Sequence, residues 1–460
     1  MSVQTASPTN AFPVTARKQG DRSFNLSFAD RRALLVLVDA MLVLLSVWAA
    51  TLLWQQTAGR PLTDADIEGR WYWYPIMLCG WWALAWLSDL YDVASSDDRI
   101  SSVVRVVITG ALILVIYVFA FFLAPRILPR LFFGYFLLVV LPLIIVWRWA
   151  CATLFSAPAF RRRMLVVGGE GPGQFIASAL KRHTSHYQVL GYADLSDLLR
   201  QRRIDEIVVA SAHELEDGLV QLLIDCQAQG FRVSRMPDLY EKLYRRMPIQ
   251  YIDNSWALDA IIDRSSTRLY LIIKRAMDIV IAGIGLMFLA PFFPILALAI
   301  KLDSPGPVFY RPERLGQGGK PFRLWKFRTM VPDADRIGDP TFTTRNDQRV
   351  TRVGRILRAT HVDELPQLIN VVAGDMSLVG PRPERHVPEL EENIPYYRAR
   401  YAVKPGATGW ALVKQGYAEG LEDTLIKLQY DLYYIKNRSL FFDIFILYKS
   451  AVHMLTMRGR

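Results

Sequence analysis

Cysteine is scarce in this chain: Cys79, Cys151 and Cys226 are the three in 460 residues, and none is spaced as CxxC. That pattern supports neither a zinc site nor a disulfide framework. Residues 1–30 hold no apolar core of the kind a secretory signal needs; they are polar, rich in Ser, Thr and Pro, and are read as a disordered cytoplasmic lead. An intact dinucleotide-binding glycine fingerprint is missing too. Counting from Gly168, the second glycine position is Glu170; counting from Gly169, the third is Gln174. No tyrosine between 162 and 262 has a lysine four residues on, which argues against a tethered nucleotide-sugar dehydratase or epimerase. The formal match, Tyr270 with Lys274, lies beyond that region beside an apolar run, where an interfacial anchor is the simpler role.

Apolar residues are abundant. A hydrophobic fraction of 52%, 12 Trp and a mean hydropathy of +0.18 are too high for an ordinary soluble chain, so this is read as a membrane protein with soluble parts. The 54 Lys and Arg against 43 Asp and Glu leave a net charge of +11. In so apolar a chain that excess points to anionic lipid headgroups and phosphate-bearing substrates, not to nucleic acid. Four apolar segments, 33–54, 71–90, 103–123 and 131–149, each approach the ~20 residues of a spanning helix, giving a four-helix transmembrane region over 31–152. Arg17, Lys18, Arg22, Arg31 and Arg32 precede the first span and Arg161, Arg162 and Arg163 follow the last, whereas Asp64, Asp66 and Glu68 lie in the first outer loop. The positive-inside rule then places both ends in the cytoplasm.

Residues 160–262 alternate buried-strand runs such as RMLVVGG and RIDEIVVAS with helical stretches, and read as a Rossmann-like α/β domain. With its fingerprint broken, a degenerate domain for packing, oligomerisation or regulation is favoured over dinucleotide binding. Residues 268–302 form the next unit. Their apolar run from Ala276 to Ile300 is long enough to cross a bilayer, but a fifth crossing would put everything after it on the opposite side from the α/β domain before it. Pro291 and Pro294, with Ala290 before them, break the run near its centre, so a re-entrant helix-break-helix is expected; a kinked spanning helix is the alternative.

Residues 303–460 carry the chemistry, as an α+β catalytic domain. A basic, glycine-punctuated turn at Arg314, Gly316, Gly318 and Gly319 leads to Lys326 and Arg328 on either side of Phe327; by themselves these read as a solvated hairpin. Then comes HVDELPQLINVVAGDMSLVGPRPE, residues 361–384, with the adjacent acids Asp363 and Glu364 at a helix start and a rigid Pro381-Arg382-Pro383 turn. Thr360 and Asp363 also fit a capping box, which would make the acid a mere helix cap. Their company favours chemistry: Arg358 stands five residues before Asp363, Arg382 follows in a locked turn, and Lys404-Pro405-Gly406-Ala407-Thr408-Gly409-Trp410 adds another cationic glycine turn. Paired carboxylates beside fixed cations suit metal-assisted phosphoryl transfer. A non-enzymatic scaffold or regulator is a rival for which the acid pair would be dispensable.

KFRTM, DELPQLINVVAGDMSLVGPRP, KPGATGW and YDLYYIKNRSLFFDIFILYK together make the region from Lys274 to about Leu455 resemble the bacterial sugar transferases, the polyprenyl-phosphate hexose-1-phosphate transferases or large monotopic phosphoglycosyl transferases. The resemblance implies that Asp363 is a nucleophile, that Glu364 assists through Mg²⁺, and that Arg358, Arg382 and the flanking Pro381 and Pro383 handle substrate phosphate and nucleotide, with Lys326 and Arg328 nearby. It implies transfer of a hexose 1-phosphate from a UDP-hexose, glucose or galactose favoured, to undecaprenyl phosphate. UMP would leave, and a phosphosugar-aspartyl intermediate would form by ping-pong chemistry, as the first membrane step of exopolysaccharide, capsule or O-antigen synthesis. The setting implied is the bacterial inner membrane, with the catalytic domain on its cytoplasmic face. The oligomeric state stays open, a homodimer included. One departure stands out: Ala290-Pro291 occupies the place of a family Ser-Pro pair, so no hydroxyl is there to satisfy a freed carbonyl.

Overall fold

Uninterrupted runs of Leu, Val, Ile and aromatic residues at the front of the chain form helices, because only a helix satisfies every backbone group where side chains are apolar all round. These are α1 (Phe28–Ala58), α2 (Trp73–Leu87), α3 (Arg99–Leu123) and α4 (Arg130–Phe155). The computed structural model describes residues 28–58, 73–92, 99–123, 130–155, 157, 162–168, 170–181, 187–189, 204–210, 217–252, 254, 268–332, 334, 347–415 and 421–455. The expected polar lead up to residue 27 and the acidic loop at 59–72 lie outside them. Two compact units divide the chain between Leu239 and Tyr240.

Among the described residues, four helical stretches are long and apolar enough to cross a membrane: Asp30–Thr57, Arg99–Phe119, Leu131–Phe155 and Arg268–Asp303. The set differs from the sequence expectation at the second segment. There α2 has 15 described residues, short of the ~20 a span needs, and it stops at a turn in which Asp89 takes a left-handed φ of 57°. Arg148 of α4 fixes that turn by donating to the Leu90 carbonyl at 2.9 Å, and its other arm pairs with Asp39 of α1. Both charges are buried, so each supplies what the other needs in an apolar bundle. Val43, Val47, Trp81, Phe136, Val140 and Ile144 form the bundle's core.

The first unit continues into a parallel α/β sheet. β1 (Arg162–Val167), β2 (Tyr187–Val189), β3 (Glu206–Val209) and β4 (Arg232–Arg235) lie in the order β2-β1-β3-β4, with every pairing parallel. The crossover helices α5 (Glu170–Lys181) and α6 (Asp217–Ala228) follow β1 and β3. Central strands read as near-continuous apolar runs because both faces are covered, and Leu165, Ile207, Val209, Leu223, Cys226 and Phe231 form a core on one side. Gly168 leaves β1 at φ 105°, the turn that the glycine-rich stretch predicts.

From β4 the chain passes into α7 (Met236–Tyr244), and residues 240 onward belong to the second unit. There α8 (Arg268–Leu289) and α9 (Phe293–Asp303) are joined by a 3-10 turn over Ala290–Phe292. The break sits where the prolines predict it. Pro291 lies inside the 3-10 turn and Pro294 in the first turn of α9, where a missing N–H leaves no intrahelical bond unmade. Leu289 and Phe292 remain right-handed, so the helix changes type without reversing its hand.

Both arms pack on the small α+β domain that comes after them. Arg275 of α8 donates to the Val371 and Val372 carbonyls at 2.6 and 2.8 Å, and Asp278 accepts from the Leu378 N–H at 3.1 Å. On α9, Ile300 packs with Phe327 and Leu357, and Asp303 accepts the Val353 N–H at 2.8 Å. Elsewhere the arms are clad in exposed apolar side chains, among them Ile272, Val280, Met287, Phe288, Ile295 and Leu302.

Candidate active site

Short strands and turns, not long elements, place the site. β5 (Phe309–Tyr310) pairs antiparallel with β8 (Lys326–Phe327), and β6 (Glu313–Leu315) with β7 (Pro321–Arg323) around the glycine turn. Alternation along β8 buries Phe327 in the hydrophobic cluster and leaves Lys326 partly open. Next, α10 (Arg352–Ala359) is capped by Thr351, whose hydroxyl accepts from the Gly354 N–H at 3.0 Å. Gly354 lies so close to the Thr329 backbone that a Cβ has no room there. Arg358 at the end of α10 donates to the Thr329 hydroxyl at 2.8 Å.

Asp363 and Glu364 occupy a 3-10 turn, Val362–Glu364, between α10 and α11 (Gln367–Ala373). The sequence pattern places them near the start of an amphipathic helix; the structure puts them in the 3-10 turn just before it. Pro366 has no N–H to continue a helix through, so α11 begins just after it. On the other side, His361 takes a left-handed φ of 58°, which reverses the chain after α10. The capping-box alternative is not formed: Thr360 ends α10, and its hydroxyl bonds back to the Ile356 carbonyl at 2.8 Å.

Beyond α11, β9 (Ser377–Val379) pairs in parallel with β10 (Gly406–Thr408), and the Gly380-Pro381-Arg382-Pro383 turn leaves the end of β9. The glycine loop of KPGATGW grips that turn. Gly380 N–H donates to the Thr408 carbonyl at 2.9 Å and Gly406 N–H to the Pro381 carbonyl at 2.8 Å. Gly380, Gly406 and Gly409 meet backbone to backbone, with no space for side chains.

The result is a clamp on Glu364. Its Oε1 accepts from Lys326 Nζ at 2.8 Å and from Arg382 Nη2 at 2.6 Å. Burial alone would raise the Glu364 carboxyl, but Arg382 and Lys326 hold it well below the usual carboxylate range. Asp363 goes the other way. It is 8% exposed and accepts no hydrogen bond from a described residue; burial and the neighbouring Glu364 charge push it up, with Lys326, Arg358 and Arg382 opposing. One peptide thus carries two carboxyls driven apart in acidity: one locked as an anion between cations, the other free to react. Two carboxylates and three surrounding cations can receive and stabilise a phosphoryl group.

Asp363, Glu364, Lys326, Arg358 and Arg382 are brought together, and Pro381 and Pro383 frame Arg382. Arg328 is not part of that group. Its guanidinium donates to the Ser304 and Pro305 carbonyls at 2.6 and 2.8 Å, so it ties down the chain just after α9. A second group escapes the sequence reading. Arg400, 4% exposed, donates to the Arg382 carbonyl at 3.1 Å, to Asp431 at 3.0 Å and to the Tyr397 hydroxyl at 2.8 Å, while Lys427 pairs with Glu384. The available signal is Asp431 inside the apolar run YDLYYI, since a charge on a buried helix face calls for a buried partner.

Residues 269–457 match the protein family described as "Bacterial sugar transferase". A UDP-N-acetylgalactosamine-undecaprenyl-phosphate N-acetylgalactosaminephosphotransferase of Aeromonas hydrophila is 40% identical over 241 residues, 52% of this chain and 56% of that protein. A UDP-glucose:undecaprenyl-phosphate glucose-1-phosphate transferase of Escherichia coli (strain K12) is 46% identical over 185 residues, 39% of each chain. The exopolysaccharide production protein PSS of Rhizobium leguminosarum bv. phaseoli is 42% identical over 199 residues, 41% of this chain and 98% of that protein. The match therefore spans about half the length of the first, less of the second and nearly all of the third.

Proposed function

Since the chain belongs to the bacterial sugar transferase family, we propose that it transfers a hexose 1-phosphate from a UDP-hexose to undecaprenyl phosphate. The observation that carries this reading is the Lys326–Glu364–Arg382 clamp beside a buried, otherwise unbonded Asp363. Asp363 attacks the sugar-linked phosphorus of the donor, the bond from that phosphorus to the UMP oxygen breaks, and UMP leaves. A phosphosugar-aspartyl ester remains. An oxygen of the carrier phosphate then attacks the same phosphorus, forming the lipid-linked diphosphate sugar and returning the Asp363 carboxylate. One site serves both halves. Arg358 and Arg382 neutralise donor phosphate, and the fixed charge on Glu364 keeps Lys326 and Arg382 in place between turnovers.

Mg²⁺ fits these residues. No cluster of three metal-ligating side chains exists among the described residues, but this ion commonly takes one or two carboxylates together with substrate phosphates. Glu364 and Asp363 would hold it, with Lys326 or Arg382 turning from Glu364 to the incoming phosphate. It would supply Lewis-acid neutralisation of the phosphoryl oxygens.

We place the catalytic unit on the cytoplasmic face of the bacterial inner membrane, with Arg268–Asp303 re-entrant. Support comes from its two arms, which both pack on the one domain that carries the acid pair. The names of the relatives divide between glucose and N-acetylgalactosamine, so the test is purified protein with undecaprenyl phosphate and a panel of UDP-glucose, UDP-galactose and UDP-N-acetylgalactosamine. The expected result is UMP release with a lipid-linked sugar diphosphate from at least one donor. Absence of both products with every donor overturns the reading.

A further inference from the structure

The segment just before the membrane hairpin is folded into the domain beyond it. Glu241 accepts both contacts of Lys436 Nζ from α12 (Leu421–Asn437), at 2.7 and 2.9 Å. Met247 N–H donates to the Gln429 carbonyl of the same helix at 3.1 Å. The Arg246 guanidinium lies over the rings of Tyr240, Tyr244 and Tyr430, at 5.4, 5.4 and 5.8 Å. Met247 and Ile249 are 0% and 2% exposed. Residues 240–252 are thus a strap with its own seat, although the family match begins only at residue 269.

The strap's seat leads to the site. The indole N–H of Trp410 donates to the Arg245 carbonyl at 2.8 Å, and the ring is wedged against Phe442 and Phe445, at 5.1 and 6.0 Å. Gly409, the residue before it, abuts the Gly380 carbonyl with no room for a side chain. Gly380 and Pro381 are bonded to Thr408 and Gly406, and Arg382 comes next. We propose that residues 240–252 are a positioning element of the transferase site, holding Trp410 so that the Gly406–Gly409 loop sets the turn that presents Arg382. The inference rests on the transfer reading above for its kinetic consequence, and on geometry alone for its structural one.

Two substitutions in the full chain test it: Trp410→Phe, which removes the indole N–H and keeps a ring, and Arg246→Leu, with Arg246→Lys as the conservative rescue. Because Arg382 handles donor phosphate, KM for the UDP-sugar should rise about fivefold, the factor expected for one lost polar contact, while KM for the carrier lipid stays put. Amide hydrogen exchange should quicken at 380–384 and 404–410 in both variants. Arg246→Lys should restore most of both. A strap that only stabilises the fold would lower kcat in proportion to the unfolded fraction with KM unchanged, and that result overturns the proposal, as does unchanged exchange at 380–384. If the wild-type protein releases no UMP from any donor, the transfer reading fails, and the exchange result still decides whether the strap positions the turn.

Discussion

Asp363 and Glu364 are neighbours in the chain with opposite electrostatic fates, and single substitutions should separate their roles. Asp363→Asn should abolish UMP release and lipid product while leaving thermal stability equal or higher at neutral pH. The reason is that a carboxyl whose acidity is weakened by burial costs stability once ionised, and an amide does not. Retained turnover in that variant would remove Asp363 as nucleophile. Glu364→Gln should lower kcat and Mg²⁺ dependence together, read by metal titration of the initial rate. Glu384, two residues beyond Arg382, gives a pH prediction on stability. Burial would raise it, but Lys427 and Arg400 bring it down to about 2 from an ordinary 4.5. A depressed carboxyl contributes stability above its unfolded value and loses it as pH falls through the folded one, so wild type should exceed Glu384→Gln in thermal midpoint at neutral pH. That gap should close between about 4.5 and 2. The acid pair, Lys326, Arg358 and Arg382 were legible in sequence because short motifs keep them near one another or in rigid turns. Arg400 with Asp431 was not, because the pair is joined only by folding; nor was the backbone duty of Arg328, since sequence shows a cation's charge and not the carbonyls it reaches.

Among elements, the helix break was readable because proline acts through its own covalent geometry, and the acid pair lies near a helix start as the pattern suggests; only the 3-10 form of its turn was not legible, because Pro366 acts by setting where the next helix can begin. Replacing Pro291 and Pro294 with leucine should straighten Arg268–Asp303 into a run able to cross the bilayer, and activity should go with the break. Single cysteines at the exposed positions Gln250 and Lys320, in a chain lacking Cys79, Cys151 and Cys226, report the side of each flank. A membrane-impermeant thiol reagent should label both in inverted vesicles only; labelling of position 320 in intact cells would overturn the re-entrant placement. Gly354 is the weak point of α10. A methyl group there meets the Thr329 backbone, which cannot move aside as a side chain can, so Gly354→Ala should cost about 1–3 kcal/mol, seen as a lower thermal midpoint. At the second apolar segment, the Arg148 contact that closes the turn ending α2 joins residues far apart in the chain, which hydropathy does not record.

At the scale of the whole molecule, the sequence separates a front region from a catalytic one, and the structure moves the seam. A boundary at 262 follows from composition; the strap's packing puts residues 240–252 with the catalytic unit instead. A truncation to 240–460 should therefore keep transfer activity in membranes. One to 268–460 should be less stable, since it uncovers the seats of Met247 and Ile249, each worth about 1.5–3 kcal/mol, and strips Trp410 of its carbonyl partner. Equal stability of the two, by thermal inactivation, would make the strap an ornament. The same packing has a further consequence for how the chain is made. Residues 240–252 leave the ribosome before Arg268–Asp303, and α12 leaves it some 170 residues later. The early segment must wait, and on the re-entrant placement proposed above it is met once the chain between has come back through the leaflet by which it went in. A nascent chain that threaded Arg268–Asp303 straight across would hold the two halves of this contact in different compartments, with Met247, Ile249 and Trp410 unsatisfied on either side. On the re-entrant placement proposed above, the strap is therefore expected to close on its seat only after both flanks of Arg268–Asp303 lie on one side of the bilayer.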